Sequence, residues 1–591
     1  MGLRILFDSH NLKHKNPFGT IVPKEFCAFS VSIPEGVGTT AAYLMFRCDR
    51  TGQEREVELR KAGVDGDYEL WGGEVSFPEP DLYFYWFRIC TATGAFRLLK
   101  YGDHDTNMEA GDLWQLSCVA DEYPAPDWAR GAIMYQIMPD RFCRGGKPDL
   151  TDKLQPYTVH ESTDELPDWK PTEEGKVLNN DFFGGTLQGI TSKMRYLSSL
   201  GVGVLYLNPV FMAFSNHRYD TCDYKRIDPM LGTEKDFVKL CKTAHKFGIR
   251  VILDGVFSHT GSNSVYFDKE NIFGTGAYSN PKSPYLTWFK FKNYPDEYLS
   301  WWGFDTLPCV DKMHPDYIDF IIENEDSVIA HWLRLGADGF RLDVVDELPD
   351  AFVARMRRRM REINPESMLL GEVWEDASNK EAYGIRRRYF VDGELDGVMN
   401  YPWRTGILNF CRGNDGGFDL KSAVERIWEN YPRQVMECTM NLISSHDRAR
   451  AMTELASPFE GSREEMANHK LTTSQRENGR KMLKMAAILQ YSLPGMPSVY
   501  YGDEAGMEGC KDPFNRGFYP WGKEDKNLVK FYKKLGKLRN SAKSLRYGDV
   551  KIETDGDGVV TVCRKFEGEV TEITVDRNDG VWFVNGAKEE L

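Results

Sequence analysis

The chain has 591 residues, which at roughly 150 residues per domain makes three or four structural units and excludes a small binding module. Charged residues make up 28% and hydrophobic residues 41%, so the chain buries a large core and is far from a disordered composition. The 74 Lys and Arg against 89 Asp and Glu leave a formal charge of -15, which repels phosphate backbones and argues against a nucleic-acid partner.

The start, MGLRILFDSHNLKHKNPFG, has no apolar run of signal-peptide length, and no later segment approaches the roughly 18 to 20 uninterrupted apolar residues of a membrane span. The 12 cysteines stand singly, with no CxxC pair, which fits neither a zinc framework nor a disulfide scaffold. The expectation is a cytoplasmic protein with reduced thiols and no membrane partner.

Residues 1–122 read as an N-terminal β-sandwich of the carbohydrate-binding-module kind. The run Tyr83 to Ile89 is aromatic on both faces and flanked by turn-forming GVDGD and FPEPD segments, as for a strand whose aromatics are core. A Pro-rich joint, YPAPDW from Tyr123 to Trp128, follows. Residues 123–522 then alternate short apolar runs with amphipathic helical stretches. The runs begin at Ala132, Val202, Ile249, Ala337, Ser367, Leu395, Thr439 and Met496. Eight strand-then-helix units predict a (β/α)8 barrel, an α/β fold with its active site at the C-terminal strand ends. The connection 259–314 after the third strand is long and aromatic and reads as an inserted subdomain over the barrel mouth. Residues 523–591 read as a helix and a short C-terminal β-domain.

The strand ends carry the chemistry. The third ends in Asp254 followed by Ser258 and His259, the fourth in Arg341-Leu342-Asp343, the fifth in Glu372-Val373-Trp374, and the seventh in His446-Asp447. A lone acidic residue after a strand is commonly a helix cap, but one cap says nothing about the next, whereas a catalytic rim accounts for all of them. Paired carboxylates among aromatics, with no phosphate-binding Gly loop, suit glycosidic bond cleavage. GFRLD puts Arg341 and Asp343 on one side of a strand, so the guanidinium can hold the carboxylate ionised and aimed. Glu372 lies on the next strand beside Trp374, whose desolvating bulk suits a working acid.

Four segments in order, DGVFSH, GFRLDVVDE, GEVWEDAS and ISSHD, resemble the signature regions of the α-amylase family, glycoside hydrolase family 13, and LPCVD resembles a fifth. SNHRYDTCDYKRIDPMLG, NNDFFGGTLQGI and YYGDEAGMEGCKDP are similar to the neopullulanase, cyclomaltodextrinase and amylopullulanase-like branch. The resemblance implies a retaining hydrolase of α-glucosidic bonds in maltodextrins, pullulan, cyclodextrins or related starch-derived glucans, with a transglycosylase or isomerase as the alternative and a non-catalytic glucan binder as a distant third. It also implies Asp343 as nucleophile, Glu372 as general acid/base and Asp447 as the third carboxylate. His259 and His446 would bond the sugar at the cleavage site, Arg341 would orient the nucleophile with Asp254 as its structural partner, Tyr219 would stack under the sugar ring, and Trp374 would line the same site. Val345, Asp346 and Glu347 lie where acceptor-side contacts are expected. The branch also implies an N-terminal domain able to complete a partner's active site in a homodimer.

Two departures stand out. Ser258 precedes His259 where the family usually has Asn, and RFCRGGKPD with Gly184-Gly185-Thr186 replaces the oxygen-rich segments that hold calcium beside the first strand in some relatives. A hard cation needs several carboxylate and carbonyl oxygens, so no required cofactor and no metal site are expected.

Overall fold

The computed structural model describes residues 4–121 and 125–590, so Tyr123 and Pro124 of the Pro-rich joint lie outside the described residues. The chain forms two compact units. One joins the N-terminal region with Asp376–Glu394 and Lys421–Met436, two segments that fall inside the barrel region in chain order; the other holds the rest.

In the second unit eight parallel strands follow the apolar runs: β1 (Ile133–Ile137), β2 (Val202–Leu207), β3 (Arg250–Gly255), β4 (Gly339–Leu342), β5 (Met368–Gly371), β6 (Gly397–Val398), β7 (Met440–Leu442) and β8 (Met496–Tyr500). The sheet runs β6-β5-β4-β3-β2-β1-β8-β7, and a parallel bridge between Met399 and Met440 joins its two edges into a barrel. Side chains alternate across each strand, so Val204, Tyr206, Ile252 and Leu370 join the methionines 134, 368, 399, 440 and 496 in one buried interior cluster. Helices cover the outside and are set by their caps. Thr233 and Asp236 form a capping box before Glu234–Lys246, Thr472 and Gln475 do the same before Thr473–Ser492, and Gly336, at φ 114°, ends Val328–Leu335 in the left-handed region.

The inserted segment packs its aromatics together. Trp288 lies 5.5 Å from Tyr266, 4.8 Å from Tyr285 and 5.1 Å from Tyr317 between ring centroids, under a two-stranded ribbon of Phe291–Asn293 and Glu297–Tyr298. At the C-terminus the helix Lys526–Ser541 buries Arg539, which donates to the carbonyls of Gly131, Tyr491, Leu493 and Gly495. A five-stranded antiparallel sheet spanning 549–590 follows.

In the first unit the strands pair antiparallel in one continuous nine-stranded sheet among the described residues. The sequence predicts a β-sandwich here. The long strand Glu54–Asp65 pairs with Thr39–Cys48 along one stretch and with Tyr68–Val75 along the next, across an irregularity at Lys61 and Gly63, so the pairing runs on without a break. Phe29, Phe46, Tyr85, Phe87 and Trp114 meet in the enclosed core. Strand Asp81–Thr91 alternates as expected, with Tyr83, Tyr85, Phe87 and Ile89 in that core. The 12 cysteines are free thiols, and among the described residues no helix is long and apolar enough to cross a membrane.

Close strand pairing at the start of β4 depends on Gly339, where a Cβ would stand 2.1 Å from the Met368 carbonyl oxygen. Gly339→Ala is therefore expected to cost at least about 1–3 kcal/mol by forcing β4 and β5 apart, read as a lowered urea midpoint; an unchanged midpoint would refute this account of the pairing.

Candidate active site

The site is assembled by strand register. Asp254 on β3 pairs opposite Arg341 on β4, and Leu342 pairs opposite Gly371, which sets Asp343 beside Glu372 one step further on. Arg341, fully buried, sits among three carboxylates: its Nη1 donates to Asp254 Oδ1 at 2.8 Å and to Asp343 Oδ1 at 2.9 Å, and its Nη2 lies 2.7 Å from Glu372 Oε2 as an ion pair. Val344 adds its N–H to Glu372 Oε2 at 2.8 Å, and Trp374 Nε1–H donates to Oε1 at 3.1 Å. Val344 holds φ at 38°, a left-handed conformation costly for a β-branched residue. Burial pushes the Asp343 carboxyl well above its usual range; Arg341 pulls it down, and the charges of Glu372 and Asp254 push it up further.

Asp254 is the anchor of a second network. It accepts from Tyr206 OH at 2.6 Å and from Tyr219 OH at 2.9 Å. Because Tyr219 OH donates there, it accepts from Asn208 Nδ2 at 3.0 Å and from His446 Nε2 at 2.6 Å. Gln136 Nε2 completes the circuit, donating to Asn208 Oδ1 at 3.0 Å and to His446 Nδ1 at 2.9 Å. The tautomer of His446 follows: the proton is on Nε2. The same nitrogen lies 3.0 Å from Asp447 Oδ2. Burial opposes the charge on Asp447, but His446, Arg516 and Arg341 together hold its carboxyl below the usual range. Its side chain is 31% exposed, the most open of the acidic groups here.

Tyr219 is half-buried, parallel to the His446 ring at 5.4 Å and 7°, with the Arg341 guanidinium 6.0 Å from its ring centre. Trp374 is 38% exposed and stacks on Tyr401 at 4.3 Å, with Arg448 4.3 Å from its ring centre. His259 is differently placed from a ring that offers a nitrogen to a ligand. Its Nε2–H donates to the Tyr219 carbonyl at 3.1 Å and its Nδ1 accepts from Ser258 Oγ at 2.8 Å, so both nitrogens are engaged within the protein. Of the three residues that follow Asp343 and Val344, Val345 is fully buried and presents no surface to an acceptor, whereas Glu347 Oε1 accepts from Trp302 Nε1 at 3.2 Å. Trp302 is 72% exposed and stacks on Trp301, whose ring lies 5.4 Å from that of His259.

Gln136, Tyr206, Asn208, Tyr401, Arg448 and Arg516 belong to this site and are absent from the sequence-derived set. Gln136 and Asn208 carry a faint signal, each being a polar residue at the top of an otherwise apolar strand run. Arg516 carries none, being joined to the site only by tertiary contacts with the His446 carbonyl at 3.0 Å and Asp447 at 3.6 Å.

Beside β1, Arg144 fills the position in question for calcium. Its Nε donates to the Phe183 carbonyl at 2.7 Å, Nη2 to that of His160 at 2.7 Å and Nη1 to that of Glu161 at 3.1 Å. Three carbonyl oxygens beside β1 thus face a guanidinium, whose positive charge opposes a cation at the same place.

Comparison with known proteins agrees across the chain. The family model described as "Alpha amylase, catalytic domain" matches residues 136–520. An amylopullulanase of Thermoanaerobacter thermohydrosulfuricus is 36% identical, the match covering 97% of this chain and 42% of that protein. A cyclomaltodextrinase of Geobacillus thermopakistaniensis is 30% identical over 91% of this chain and 87% of its own length. The chain thus spans less than half the length of the amylopullulanases it matches. Among solved structures, the type III pullulan hydrolase from Thermococcus kodakarensis superposes with a TM-score of 0.65 at 25% identity, covering 97% of this chain and 94% of that one.

Burial lowers His259 and His217 to about 3, from an ordinary value of 6.5. The unfolded chain takes protons on both rings near 6.5 while the folded chain refuses them until about 3, so the unfolded state binds more protons in that window and stability falls as pH drops through it. Calorimetry between pH 7 and 5, above most carboxylate titration, should show a falling melting temperature that flattens in His259→Gln.

Proposed function

The chain belongs to the α-amylase family, and from that premise we propose that its barrel hydrolyses α-glucosidic bonds in maltodextrins, pullulan, cyclodextrins or related starch-derived glucans, with retention of configuration, acting on α-1,4 and also α-1,6 linkages. The observation that carries the reading is the single guanidinium, Arg341, that touches Asp254, Asp343 and Glu372 together. Three carboxylates share one cation, and double displacement needs one carboxyl protonated while its neighbour is ionised.

The hydrogen bonds support one division of roles among the atoms. Asp343 Oδ1 is held by Arg341, which leaves Oδ2 to attack the anomeric carbon. Glu372 Oε2 takes the Val344 N–H and the Arg341 charge, and Oε1, which accepts from Trp374 Nε1–H, carries the proton given to the departing oxygen as the glycosidic C–O bond breaks. The resulting Asp343 ester is cleaved by water, whose proton returns to Glu372. Asp447, held ionised, grips sugar hydroxyls and is positioned by His446, whose nitrogens are engaged by Gln136 and Tyr219, while Tyr219 and Trp374 offer faces for the rings. His259, with both nitrogens engaged, acts through the Tyr219 backbone it holds. A sugar hydroxyl can replace water in the second step, and the exposed Trp302 gives such an acceptor a stacking face, so transfer is the second reading. The Arg144 guanidinium supplies the fixed positive charge beside β1, and activity is proposed to be independent of calcium.

Asp343→Asn and Glu372→Gln are each expected to lower kcat on maltodextrin by about 10²–10⁴-fold or more with an unchanged circular-dichroism spectrum; retention of a tenth of the activity would overturn the roles. Proton NMR of fresh product should show the α-anomer first, and a β-anomer would exclude the Asp343 ester. On pullulan, panose or isopanose reports α-1,4 cleavage and maltotriose α-1,6 cleavage, and longer products report transfer. Exhaustive EGTA dialysis should leave activity and melting temperature unchanged; a loss restored by calcium would refute the Arg144 account.

A further inference from the structure

In the first unit, far along the chain from the barrel rim, Asp8 stands between two histidines. His10 Nδ1 lies 3.3 Å from Asp8 Oδ1, and His104 Nδ1 lies 3.2 Å from Asp8 Oδ2. Ligand atoms on a tetrahedral zinc ion at roughly 2.0–2.1 Å are about 3.3 Å apart; one ligand atom from each of Asp8, His10 and His104 lies within 4.8 Å of the others, close enough to gather round one ion. The far nitrogens are arranged as well. His104 Nε2 meets Glu425 Oε2 at 3.0 Å, and His10 Nε2 lies 3.5 Å from Glu429 Oε2, both carboxylates coming from the helix Phe418–Asn430. A carboxylate behind each imidazole is the usual support for a metal-bound histidine, because it fixes the tautomer and turns the near nitrogen's lone pair to the ion. His10 strengthens the case: both its ring nitrogens are shielded from solvent, and neither makes a hydrogen bond.

We propose that Asp8, His10 and His104 form a binding site for a zinc-class transition-metal ion, with Glu425 and Glu429 as its supporting carboxylates. The two-nitrogen, one-carboxylate set favours zinc over a hard cation such as calcium. His104 is 40% exposed and Asp8 27%, so the ion has an entry path and room for water as a fourth ligand. The ion would tie Asp8 and His10 of the N-terminal segment to His104 of the sheet, and both to the helix behind them.

Metal entry must displace protons. The His104 Nδ1–Asp8 Oδ2 contact at 3.2 Å gives way when the ion takes the nitrogen's lone pair, so a proton held between them leaves as the ion enters. Lys421 shares Glu425, Lys15 shares Glu429, and His14 Nδ1 accepts the Asp8 amide, so the carboxylates are only partly neutralised by their own neighbours.

The test is calorimetric titration of the chelator-stripped full chain with zinc chloride at pH 7.5, in two buffers of different ionisation enthalpy. The expected result is one ion per chain, release of at least one proton, and affinity that falls at pH 6. Glu425→Gln should weaken binding about 10–100-fold, and His10→Gln and His104→Gln should abolish it. Cobalt(II) added to wild type should give the absorption of a tetrahedral site, absent from His104→Gln; since His104 is partly exposed, that variant tests the site even if His10→Gln misfolds. Failure of wild type to bind zinc, or binding of equal stoichiometry and affinity in His104→Gln, would overturn the proposal and leave the cluster as charge pairing alone.

Discussion

The rim of the barrel depends on one buried cation. Arg341 has no solvent to share its charge, and burial alone would drive it towards neutrality; the surrounding carboxylates, Asp254 first and Glu372 next, hold it charged instead. That dependence runs in both directions. Asp343 and Glu372 can stand on neighbouring strands without mutual repulsion opening the sheet because the guanidinium lies between them. Asp254 matters as the third party. It already accepts from Tyr206 and Tyr219, so part of its charge is absorbed by those hydroxyls and less of Arg341 is consumed by it. The division leaves Asp343 restrained through one oxygen only.

Much of this was legible in the sequence, and the reason is periodicity. Each parallel strand is buried on both faces and so appears as an apolar run, and the first charged residue at its end marks where the barrel opens. The quartet Asp254, Arg341, Asp343 and Glu372 could be read that way because register carries adjacent strand ends into contact. Gln136 and His446 are 310 residues apart, and nothing local in either says that the closing of β1 beside β8 and β7 brings their side chains within 2.9 Å. The continuous N-terminal sheet was hidden for a related reason. A strand that pairs with two different partners along its length has the same alternation as one that pairs with a single neighbour.

The same limit explains the residues whose surroundings differ from expectation. Val345 lies two positions after the Asp343 carboxylate, and proximity in sequence made it a candidate for contact with an acceptor. The turn at Val344 reverses its direction, so Val345 packs inward instead, where a Cβ on Gly371 would come within 3.1 Å of its methyl carbon. His259 shows how a single neighbouring residue changes a ring's availability: Ser258 Oγ reaches Nδ1, which fixes the proton on Nε2 and commits it to the Tyr219 carbonyl. The cluster of Asp8, His10, His104, Glu425 and Glu429 follows no motif, since its five members come from three distant parts of the chain.

The proposed glycosidic cleavage asks for an excess of negative charge here rather than a balance. A glucan is neutral, so charge does little to hold it, and its rings are bound through aromatic faces and hydroxyl hydrogen bonds. The transition state for glycosidic cleavage carries positive charge on the sugar, and a group that favours it must be in place before it forms. Carboxylates outnumber the guanidinium that touches them, and Asp447 is kept ionised a short distance away by His446 and Arg516. Arg341 offsets part of that excess. In the proposed reaction, when the leaving oxygen takes its proton from Glu372, the uncompensated charge faces the sugar carbon at the moment its own positive charge appears, which is when stabilisation lowers the barrier rather than tightening the hold on substrate.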